Sequence, residues 1–285
     1  MTAVTTRVVV VGGGYAGVMA ANRLRRPGVG VTVVNARPYF VERIRLHQLV
    51  TGSDDACVDY ADLLGPGIAL VVGTATRIEV TGRQLHLQDG TTLAYDYLVY
   101  ALGSGSSVPE FAYGIADVEQ ARALKTTLDA LPPQAPVCVV GAGLTGIETA
   151  AELAERGRAV TLVCDPVLGP SLSAPGRRAA QRRLRTLGVD LVPGRVTEVD
   201  AEAVTLTDGR TLASRATVWT AGFDVPALAA ASGLHTDAIG RLLTDETLTS
   251  LDDPHIVAAG DAAAPSGAPL RMSCQAALPL GAQAA

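Results

Sequence analysis

Cysteine and histidine are scarce in this 285-residue chain, and neither type is clustered. The four cysteines are Cys57, Cys138, Cys164 and Cys274. The four histidines are His47, His86, His235 and His255. A zinc site or a redox dithiol needs such side chains only a few residues apart, and no pair has that spacing. The sequence therefore predicts no metal site and no dithiol relay.

Lysine and long apolar runs are also lacking. Lys125 is the single lysine, and the formal net charge is −5 with an isoelectric point near 5.4. A chain of this charge is a poor partner for nucleic acid. No apolar run reaches the length of a membrane span, and no signal peptide is recognisable ahead of the first predicted strand. We therefore expect a cytoplasmic protein with no nucleic-acid partner and no transmembrane span.

Glycine, by contrast, is abundant and occurs in a duplicated motif. The sequence VVVVGGGYAGVMAANRL begins at Val8, and VCVVGAGLTGIETAAEL begins at Val137. Each copy has an apolar run short enough for a buried parallel strand, then a glycine turn, then an alanine-rich stretch with helical spacing. This order places a helix N-terminus at the phosphates of a nucleotide. Two copies in register predict two bound nucleotides.

A second internal repeat follows each glycine motif. LHLQDGTTLAYDYLVYALGS from Leu85 aligns with VTLTDGRTLASRATVWTAGF from Val204. Each copy predicts a hairpin and then a buried strand that ends in a turn of small residues, where backbone can approach a cofactor. Together the repeats predict an α/β fold with two Rossmann-like dinucleotide-binding domains, the second inserted in the first, each with a small antiparallel sheet insertion.

The order of these motifs resembles that of the FAD-dependent pyridine nucleotide oxidoreductases, flavoproteins with two dinucleotide-binding domains. Within that family the chain is most similar to the branch of type II NADH dehydrogenases and apoptosis-inducing-factor-like proteins. Besides the two glycine motifs, the resemblance is carried by YDYLVYALGS (95–104), VWTAGF (218–223), HIVAAGDAA (255–263) and SCQAALPLG (273–281). It also predicts that the chain lacks the third, C-terminal domain of that branch.

The resemblance implies an FAD-dependent NAD(P)H oxidoreductase. Hydride would pass from NADH to the flavin, and electrons would go on to a quinone, another small molecule or a small redox protein. The FAD-binding domain is expected at residues 1–108 and 225–285, and the NAD(P)H-binding domain at 109–224. Peripheral membrane contact and a homodimer are left open.

The glycine motifs and the resemblance together give the expected cofactor contacts. For FAD they are Gly12, Gly14, Tyr15, Ala16, Gly17, Asn35, Ala36, Arg37, Arg43, Ala75, Ala101, Leu102, Gly103, Asp261, Gln275 and Ala276. For the nicotinamide nucleotide they are Gly141, Gly143, Leu144, Thr145, Gly146, Asp165 and Gly222. Asp261 would bind the ribityl or phosphate part of FAD, and a helix N-terminus at Gln275 would face the flavin ring. A strand-end cap is the alternative for Asp261, and a charged surface helix for Arg43.

The two expected ribose contacts differ in chemistry. Asn35 stands where an acid usually holds the FAD ribose, and an amide binds a diol more weakly than a carboxylate does. At the equivalent place in the second copy, Asp165 follows a predicted strand, and no arginine occurs before Arg177. Because a 2′-phosphate is normally bound by a nearby arginine, this favours NADH over NADPH.

Glu148, just after the second glycine motif, is the predicted catalytic residue. In the resembling dehydrogenases this glutamate lies where the nicotinamide meets the flavin, which implies a role in hydride geometry or proton delivery. A carboxylate held there away from water would have a raised pKa and could carry a proton. The alternative is a glutamate in the first helical turn that stabilises the helix dipole.

Two other functions are kept as alternatives. One is a flavin-binding redox sensor or scaffold without turnover, which the missing third domain, Asn35 and Pro279 favour. Pro279 occupies a position where the quinone-reducing branch usually has a glutamine, and proline kinks a helix. The other is a ferredoxin- or rubredoxin-type reductase, for which the arginines between Arg177 and Arg185 would offer a basic surface.

Overall fold

The computed structural model describes residues 5–266 and 270–285. Within them the β-strands are β1 Thr6–Val11, β2 Val29–Asn35, β3 Tyr39–Val41, β4 Cys57–Asp59, β5 Ala69–Val72, β6 Ala75–Glu79, β7 Gln84–Leu87, β8 Thr92–Ala94, β9 Tyr97–Tyr100, β10 Ala112–Gly114, β11 Pro136–Val140, β12 Ala159–Cys164, β13 Asp190–Pro193, β14 Val196–Val199, β15 Ala203–Leu206, β16 Thr211–Ala213, β17 Ala216–Trp219, β18 Leu242–Thr244, β19 Ile256–Ala258 and β20 Ala263–Pro265. The α-helices are α1 Tyr15–Arg23, α2 Leu46–Thr51, α3 Tyr60–Leu63, α4 Val118–Ala130, α5 Leu144–Glu155, α6 Ala174–Thr186, α7 Leu228–Ala231 and α8 Cys274–Gln283, and 3₁₀ turns lie at Arg43–Arg45 and Gly260–Ala262.

Two five-stranded parallel sheets dominate the fold. The first has the order β19-β9-β1-β2-β5, and the second has the order β10-β17-β11-β12-β13. In each sheet the strand before the glycine turn is central, with the strand that follows the next helix on one side. The mixed α/β fold with parallel sheets that the repeats predict is therefore confirmed.

Each parallel sheet is accompanied by a three-stranded antiparallel sheet. One is β6-β7-β8 and the other is β14-β15-β16, and each has a register irregularity in its first hairpin, at Ala75/Arg77 and Val196/Glu198. Two small pairs, β3 with β4 and β18 with β20, complete the pairing of the described strands. The predicted hairpins of the second repeat correspond to β7–β8 and β15–β16.

Alternate residues of β1 explain why its last four positions, Val8 to Val11, are all apolar. Val9 and Val11 pack with Leu98 in one cluster, which also contains residues of the β6-β7-β8 sheet. Val8 and Val10 pack in a second cluster with residues of α1 and α8. Successive side chains of a strand point to opposite faces, so a strand covered on both faces needs an apolar residue at every position.

Side-chain caps fix where α4 and α6, the two 13-residue helices, begin. Asp117 precedes α4, and its carboxylate accepts a hydrogen bond of 2.8 Å from the Gln120 N–H. Ser173 precedes α6 and accepts one of 3.3 Å from the Gly176 N–H. Side-chain acceptors of this kind satisfy amides that the first helical turn leaves unpaired.

The chain divides into two compact units by its internal contacts. The first unit comprises Met1–Phe40, Cys57–Gly105 and Asp224–Ala285, and the second comprises Val41–Ala56 and Ser106–Phe223. The boundaries predicted from sequence, 108/109 and 224/225, place the whole of 1–108 in the first unit. The structure instead groups 41–56 with the second unit, because α2 packs against α4 and α5.

Candidate nucleotide-binding sites

The glycine turn after β1 is shaped by two close backbone approaches. Gly12 has φ +104°, and a Cβ there would lie 2.3 Å from the Ala101 carbonyl oxygen. A Cβ on Gly17 would lie 1.8 Å from the Gly12 carbonyl oxygen. At Gly14, no described atom beyond its chain neighbours lies within 4 Å of the Cβ position. Gly12 and Gly17, the first and third glycines of the motif, are therefore required for packing. Gly14, the second, leaves open space above the turn.

The turn after β11 repeats this geometry in the second unit. Gly141 has φ +107°, and its Cβ position lies 2.8 Å from the Thr220 hydroxyl oxygen. A Cβ on Gly146 would lie 1.8 Å from the Gly141 carbonyl oxygen, and at Gly143 the described part of the chain has no atom within 4 Å beyond the chain neighbours. The open space again lies at the second glycine.

Both helices that follow these turns begin without a side-chain cap. Gly14 is the N-cap of α1 and Gly143 is the N-cap of α5, and neither position provides a side-chain acceptor to the first helical turn. The early amides of α1 and α5 are thus turned toward the open space. First-turn amides without a side-chain cap, the helix dipole and a missing Cβ together suit a pyrophosphate, so the residues fit a dinucleotide in each unit.

Asn35 and Tyr60 fix the turn of the first unit through its middle glycine. The Gly13 N–H donates to Asn35 Oδ1 at 3.0 Å, and Asn35 Nδ2 donates to the Arg37 carbonyl at 2.9 Å. The buried Tyr60 hydroxyl donates to the Gly13 carbonyl at 2.7 Å, and burial raises the pKa of that phenol. Asn35 therefore has a structural role in shaping the turn. Its predicted contact with the ribose stays a prediction.

Tyr60 is a residue that sequence reasoning missed. A Cβ on Gly13 would lie 2.1 Å from the Tyr60 hydroxyl oxygen, so glycine is needed at the middle position of the turn as well. Tyr60 follows Asp59, which caps α3, and no spacing rule links it to a glycine 47 positions earlier. Nothing in the sequence pattern alone could have identified this contact.

Asp261 lies where two neighbouring strands of the first sheet end. β9 and β19 are adjacent and parallel, Ser104 follows β9, and Asp261 follows β19. The Ser104 hydroxyl donates to Asp261 Oδ2 at 2.7 Å, which orients the carboxylate. Both side chains are partly exposed. This is the edge of a parallel α/β sheet where ligands bind, and Ser104 is a second residue that sequence analysis missed.

The N-terminus of α8 is capped in the structure. Ser273 precedes the helix, and its hydroxyl accepts a hydrogen bond of 3.2 Å from the Ala276 N–H. Of the two positions predicted to face the flavin, Ala276 is therefore engaged by this cap, while Gln275 is exposed. Pro279 lies inside α8 on its exposed side, so the helix continues through it to Gln283.

The remaining predicted FAD contacts have varied surroundings in the first unit. Tyr15 is the first residue of α1, and its ring packs edge-on against Phe40 with the centroids 5.1 Å apart. Ala75 begins β6 and packs against the core, whereas Ala36 is exposed after β2. Leu102 and Gly103 continue the backbone that passes over Gly12. None of these positions contributes a reactive side chain.

Arg43 belongs to the second unit. It begins the 3₁₀ turn Arg43–Arg45, and its Nε donates to the Ala116 carbonyl at 2.9 Å. Ala116 lies between β10 and α4, so this bond ties residues 41–56 to that part of the second unit. The predicted role of Arg43 toward FAD remains a prediction.

Glu148 is exposed in the second unit. α5 begins at Leu144, followed by Thr145, and Glu148 lies beyond the first turn of the helix. Within the described residues its carboxylate makes no hydrogen bond or ion pair. The surroundings that the second unit provides therefore leave the side chain available to solvent or a ligand. Gly222, the other predicted contact, has φ +79° and is exposed.

Asp165 follows β12 and forms an ion pair that the sequence did not reveal. Arg195 Nε donates to Asp165 Oδ2 at 2.8 Å. The two residues are close because β13 pairs with β12, and the Gly194 N–H donates to the Cys164 carbonyl at 3.1 Å. Sequence reasoning considered only the arginines shortly after Asp165, and therefore missed one in the turn that follows β13.

Cys138 and Cys164 are buried and have the surroundings of structural residues rather than of reactive ones. Burial raises the pKa of the Cys138 thiol to about 12 and that of Cys164 to about 11, so both remain protonated at neutral pH. None of the four cysteines forms a disulfide within the described residues. The described residues contain no group of three or more His, Cys, Asp or Glu arranged to hold a metal ion. In the same residues no helix is long and apolar enough to cross a bilayer.

The fold has two glycine turns, each at the end of a parallel sheet and each followed by an uncapped helix. This arrangement defines the class of dinucleotide-binding α/β proteins. Residues 6–281 match the family described as pyridine nucleotide-disulphide oxidoreductase. The chain belongs to this family, which confirms the resemblance predicted from its motifs. It is accordingly an oxidoreductase that uses FAD and a nicotinamide nucleotide.

Individual relatives agree with this placement. The NADH dehydrogenase-like protein MT1860 of Mycobacterium tuberculosis (strain CDC 1551 / Oshkosh) is 34% identical, covering 97% of this chain and 78% of that protein. The type II NADH:quinone oxidoreductase Ndh of Mycobacterium tuberculosis (strain ATCC 25618 / H37Rv) is 27% identical, covering 92% of this chain and 68% of that protein.

Solved structures match over most of the chain. The ferredoxin reductase for the CYP199A2 system from Rhodopseudomonas palustris has a TM-score of 0.84 at 25% identity, covering 98% of this chain and 75% of that one. The chain spans less than two thirds of the length of several other matched structures. Those proteins therefore contain further sequence that these residues do not match.

Proposed function

We propose that the chain transfers hydride from NADH, bound on the second unit, to FAD, bound on the first, and passes the electrons to a quinone. The observation that carries this proposal is a phosphate cradle that occurs twice. Each cradle consists of a glycine turn with open space, at Gly14 or at Gly143, and the uncapped helix that follows it. Two cradles suit two dinucleotides, one of which remains bound while the other is exchanged. The proposal includes two predictions from the sequence. The NAD(P)H-binding domain is inserted in the FAD-binding domain, and the protein is cytoplasmic.

The residues of the first unit would hold FAD by its phosphates and its sugar chain. The amides at the start of α1 would bind the pyrophosphate, and Tyr60 and Asn35 would keep the turn in shape. Asp261, oriented by Ser104, would accept hydrogen bonds from the hydroxyls of the ribityl chain. When bound, the isoalloxazine ring supplies a two-electron carrier that the side chains themselves lack.

In the second unit, the amides at the start of α5 would bind the pyrophosphate of NADH. Asp165 lies after the second strand of this unit, where a carboxylate can accept hydrogen bonds from the ribose hydroxyls. Glu148 is an exposed carboxylate on the same helix as the phosphate cradle, and it would carry the proton that accompanies hydride transfer.

The relative named as an NADH:quinone oxidoreductase supports a quinone as acceptor. A small redox protein is the second candidate acceptor, and one observation favours it. Helix α6 carries five arginines, Arg177, Arg178, Arg182, Arg183 and Arg185. Only Arg183 has an ion pair among the described residues, with Glu155 at 2.6 Å. An acidic ferredoxin-type surface would complement such a helix.

An anaerobic visible spectrum tests the proposed function directly. The purified chain, reconstituted with FAD, should show flavin absorbance that bleaches when NADH is added without oxygen. A quinone or a ferredoxin added next should restore the colour, and the faster of the two identifies the acceptor. A flavin spectrum that ignores both NADH and NADPH would reject the enzyme and favour a flavin-binding module without turnover.

Replacing Glu148 by glutamine should slow catalysis without loosening either cofactor. Glutamine keeps the shape of the side chain but cannot carry a proton, so one half-reaction should slow by about 100-fold, typical of a lost general acid or base. Stopped-flow absorbance would follow flavin reduction by NADH and reoxidation by quinone separately.

Glu155→Gln is the matched control, because Glu155 is also an exposed carboxylate on α5 and, among the described residues, pairs with the exposed Arg183. Such surface pairs contribute little to stability, so this variant should keep both rates. Unchanged rates in both half-reactions for Glu148→Gln would remove Glu148 from the mechanism.

A further inference from the structure

We propose that Arg195 binds the 2′-phosphate of NADPH, so that the second unit accepts NADPH as well as NADH. This inference rests on the proposed function, because it concerns the same nucleotide site. The sequence favoured NADH over NADPH because no arginine follows Asp165 closely along the chain. An arginine near Asp165 in space removes the reason for that preference. The structure brings an arginine to Asp165 from the turn that follows β13.

The position of Asp165 identifies the ribose end of the site. In a dinucleotide-binding unit, the residue at the end of the second strand lies beside the 2′-position of the adenosine ribose. β11 and β12 are the first and second strands of the second unit, and Asp165 directly follows β12. Any cation that touches Asp165 therefore lies beside the 2′-oxygen of a bound nucleotide.

Arg195 is held at that place by backbone and side-chain bonds. β13 continues the sheet beside β12, with Pro193 opposite Cys164, and the Gly194 N–H donates to the Cys164 carbonyl at 3.1 Å. The chain then turns, and Arg195 Nε donates to Asp165 Oδ2 at 2.8 Å. The pair thus lies at the carboxyl end of two adjacent strands, the edge of the sheet where nucleotides bind.

The guanidinium of Arg195 retains the donors that a phosphate needs. Only Nε is bonded to Asp165, and the two terminal nitrogens have no hydrogen-bond partner among the described residues. The side chain is 74% exposed. A planar guanidinium with two free terminal groups can donate to two phosphate oxygens at once, which is the preferred geometry for this anion.

Charge around the site also permits a phosphate. Asp165 alone would repel a 2′-phosphate, but Arg195 compensates its negative charge at hydrogen-bond distance. A second guanidinium is close by: Arg210, in the turn between β15 and β16, pairs with Asp208 and donates from Nη2 to the Pro193 carbonyl, and this Nη2 lies 3.4 Å from the Cβ position of Gly194. While paired through Oδ2 and Nε, Asp165 can still accept from a ribose diol with Oδ1, and Arg195 can still bind a phosphate with its terminal nitrogens, so the site can accommodate either nucleotide.

Binding of ADP-ribose and 2′-phospho-ADP-ribose to the full chain loaded with FAD, so that the first unit is occupied, tests this inference by isothermal titration calorimetry. Neither probe contains nicotinamide, so the readout is independent of flavin chemistry. The unmodified chain should bind the two probes within about tenfold of each other. Arg195→Gln should weaken the phosphorylated probe by about tenfold or more, the usual effect of losing a charge-assisted bond, and change ADP-ribose by less than about threefold.

Arg215→Gln is the matched control. Arg215 also forms an exposed ion pair, with Glu202 at 2.8 Å, but it precedes β17 and therefore lies at the amino end of the second sheet. This variant should bind both probes like the unmodified chain. Asp165→Asn provides the opposite test, because it should weaken ADP-ribose and spare the phosphorylated probe.

The outcomes separate this inference from the proposed function. If ADP-ribose binds but Arg195→Gln leaves the affinity for the phosphorylated probe unchanged, Arg195 does not bind the 2′-phosphate. The proposed nucleotide site in the second unit would still stand. The same conclusion follows if the phosphorylated probe fails to bind the unmodified chain. If neither probe binds, both proposals are overturned.

Discussion

Alanine at Gly14 is expected to abolish FAD binding while leaving the fold intact. The added Cβ meets no described atom within 4 Å beyond the chain neighbours, so the protein itself tolerates it. The methyl group would instead stand where the pyrophosphate approaches the amides of α1. We expect the FAD dissociation constant to rise by about 100-fold or more, equivalent to about 3 kcal/mol. Fluorescence quenching of FAD titrated with apoprotein would measure it.

The same substitution in the second unit should give a different phenotype. Gly143→Ala is expected to retain FAD and its visible spectrum, but to lose bleaching by NADH at concentrations that reduce the unmodified chain fully. Each variant is therefore the control for the other, since the chemical change and the local geometry are the same. Circular dichroism and thermal melting should show both variants folded, with stability changed by less than about 1 kcal/mol.

Alanine at the third glycine of either turn provides the contrast. At Gly17 and at Gly146 the Cβ would lie 1.8 Å from a carbonyl oxygen of the first glycine, a distance that backbone atoms cannot accommodate without moving. We expect Gly17→Ala and Gly146→Ala to be insoluble or strongly destabilised. Wild-type FAD affinity in a folded Gly14→Ala variant would show that the second glycine does not face the pyrophosphate, and would overturn the proposed cradle.

The parts of this fold that the sequence predicts are those that local chemistry determines. A run of valines that must be apolar on both faces, a glycine turn and an alanine-rich helix lie within a few residues of each other, and this pattern occurs twice. Hairpins are similarly local, since the turn residues Asp89-Gly90 and Asp208-Gly209 directly join their strands. The two parallel sheets and their antiparallel companions were predictable for this reason.

The residues that sequence analysis missed have partners far along the chain. Tyr60 bonds to Gly13, and Ser104 bonds to Asp261, across 47 and 157 positions. Arg195 reaches Asp165 only because β13 lies beside β12. A hydrogen bond of this kind leaves no periodicity in the sequence, so only the assembled sheet reveals it.

The grouping of residues 41–56 with the second unit has a similar origin. Leu46, Leu49 and Val50 form the buried face of α2, and such a face shows that the helix is covered without showing by which element. In the structure α4 and α5 cover it. The division of the chain therefore depends on packing that becomes apparent only in three dimensions.

Gly281→Ala should lower the thermal stability of the chain, although helix propensity alone predicts the opposite. Replacing glycine by alanine inside a helix normally stabilises it by about 1 kcal/mol. At Gly281 in α8, however, the Cβ would lie 2.2 Å from the Ala16 carbonyl oxygen and 2.8 Å from the Ala16 Cα. Ala16 is buried in α1, so both backbones must separate.

The expected cost of this overpacking is about 2 kcal/mol, which corresponds to a melting temperature lower by roughly 4–8 °C for a chain of this size. Because α1 also provides the amides of the first cradle, FAD affinity should fall together with stability. Differential scanning calorimetry with and without FAD would measure both effects. The sign of the shift is the informative result, since propensity and packing predict opposite signs.

Gly176→Ala is the matched control, because Gly176 also lies within a helix, α6, but its Cβ position is much less crowded than that of Gly281. Its nearest neighbour is the Ser173 hydroxyl oxygen at 3.3 Å, so the capping side chain would need to move by only a few tenths of an ångström. This variant should be as stable as the unmodified chain or more so. A rise in melting temperature for Gly281→Ala comparable to that of Gly176→Ala would mean that α8 does not press against α1 at this point. The first cradle would then not depend on this contact for its support.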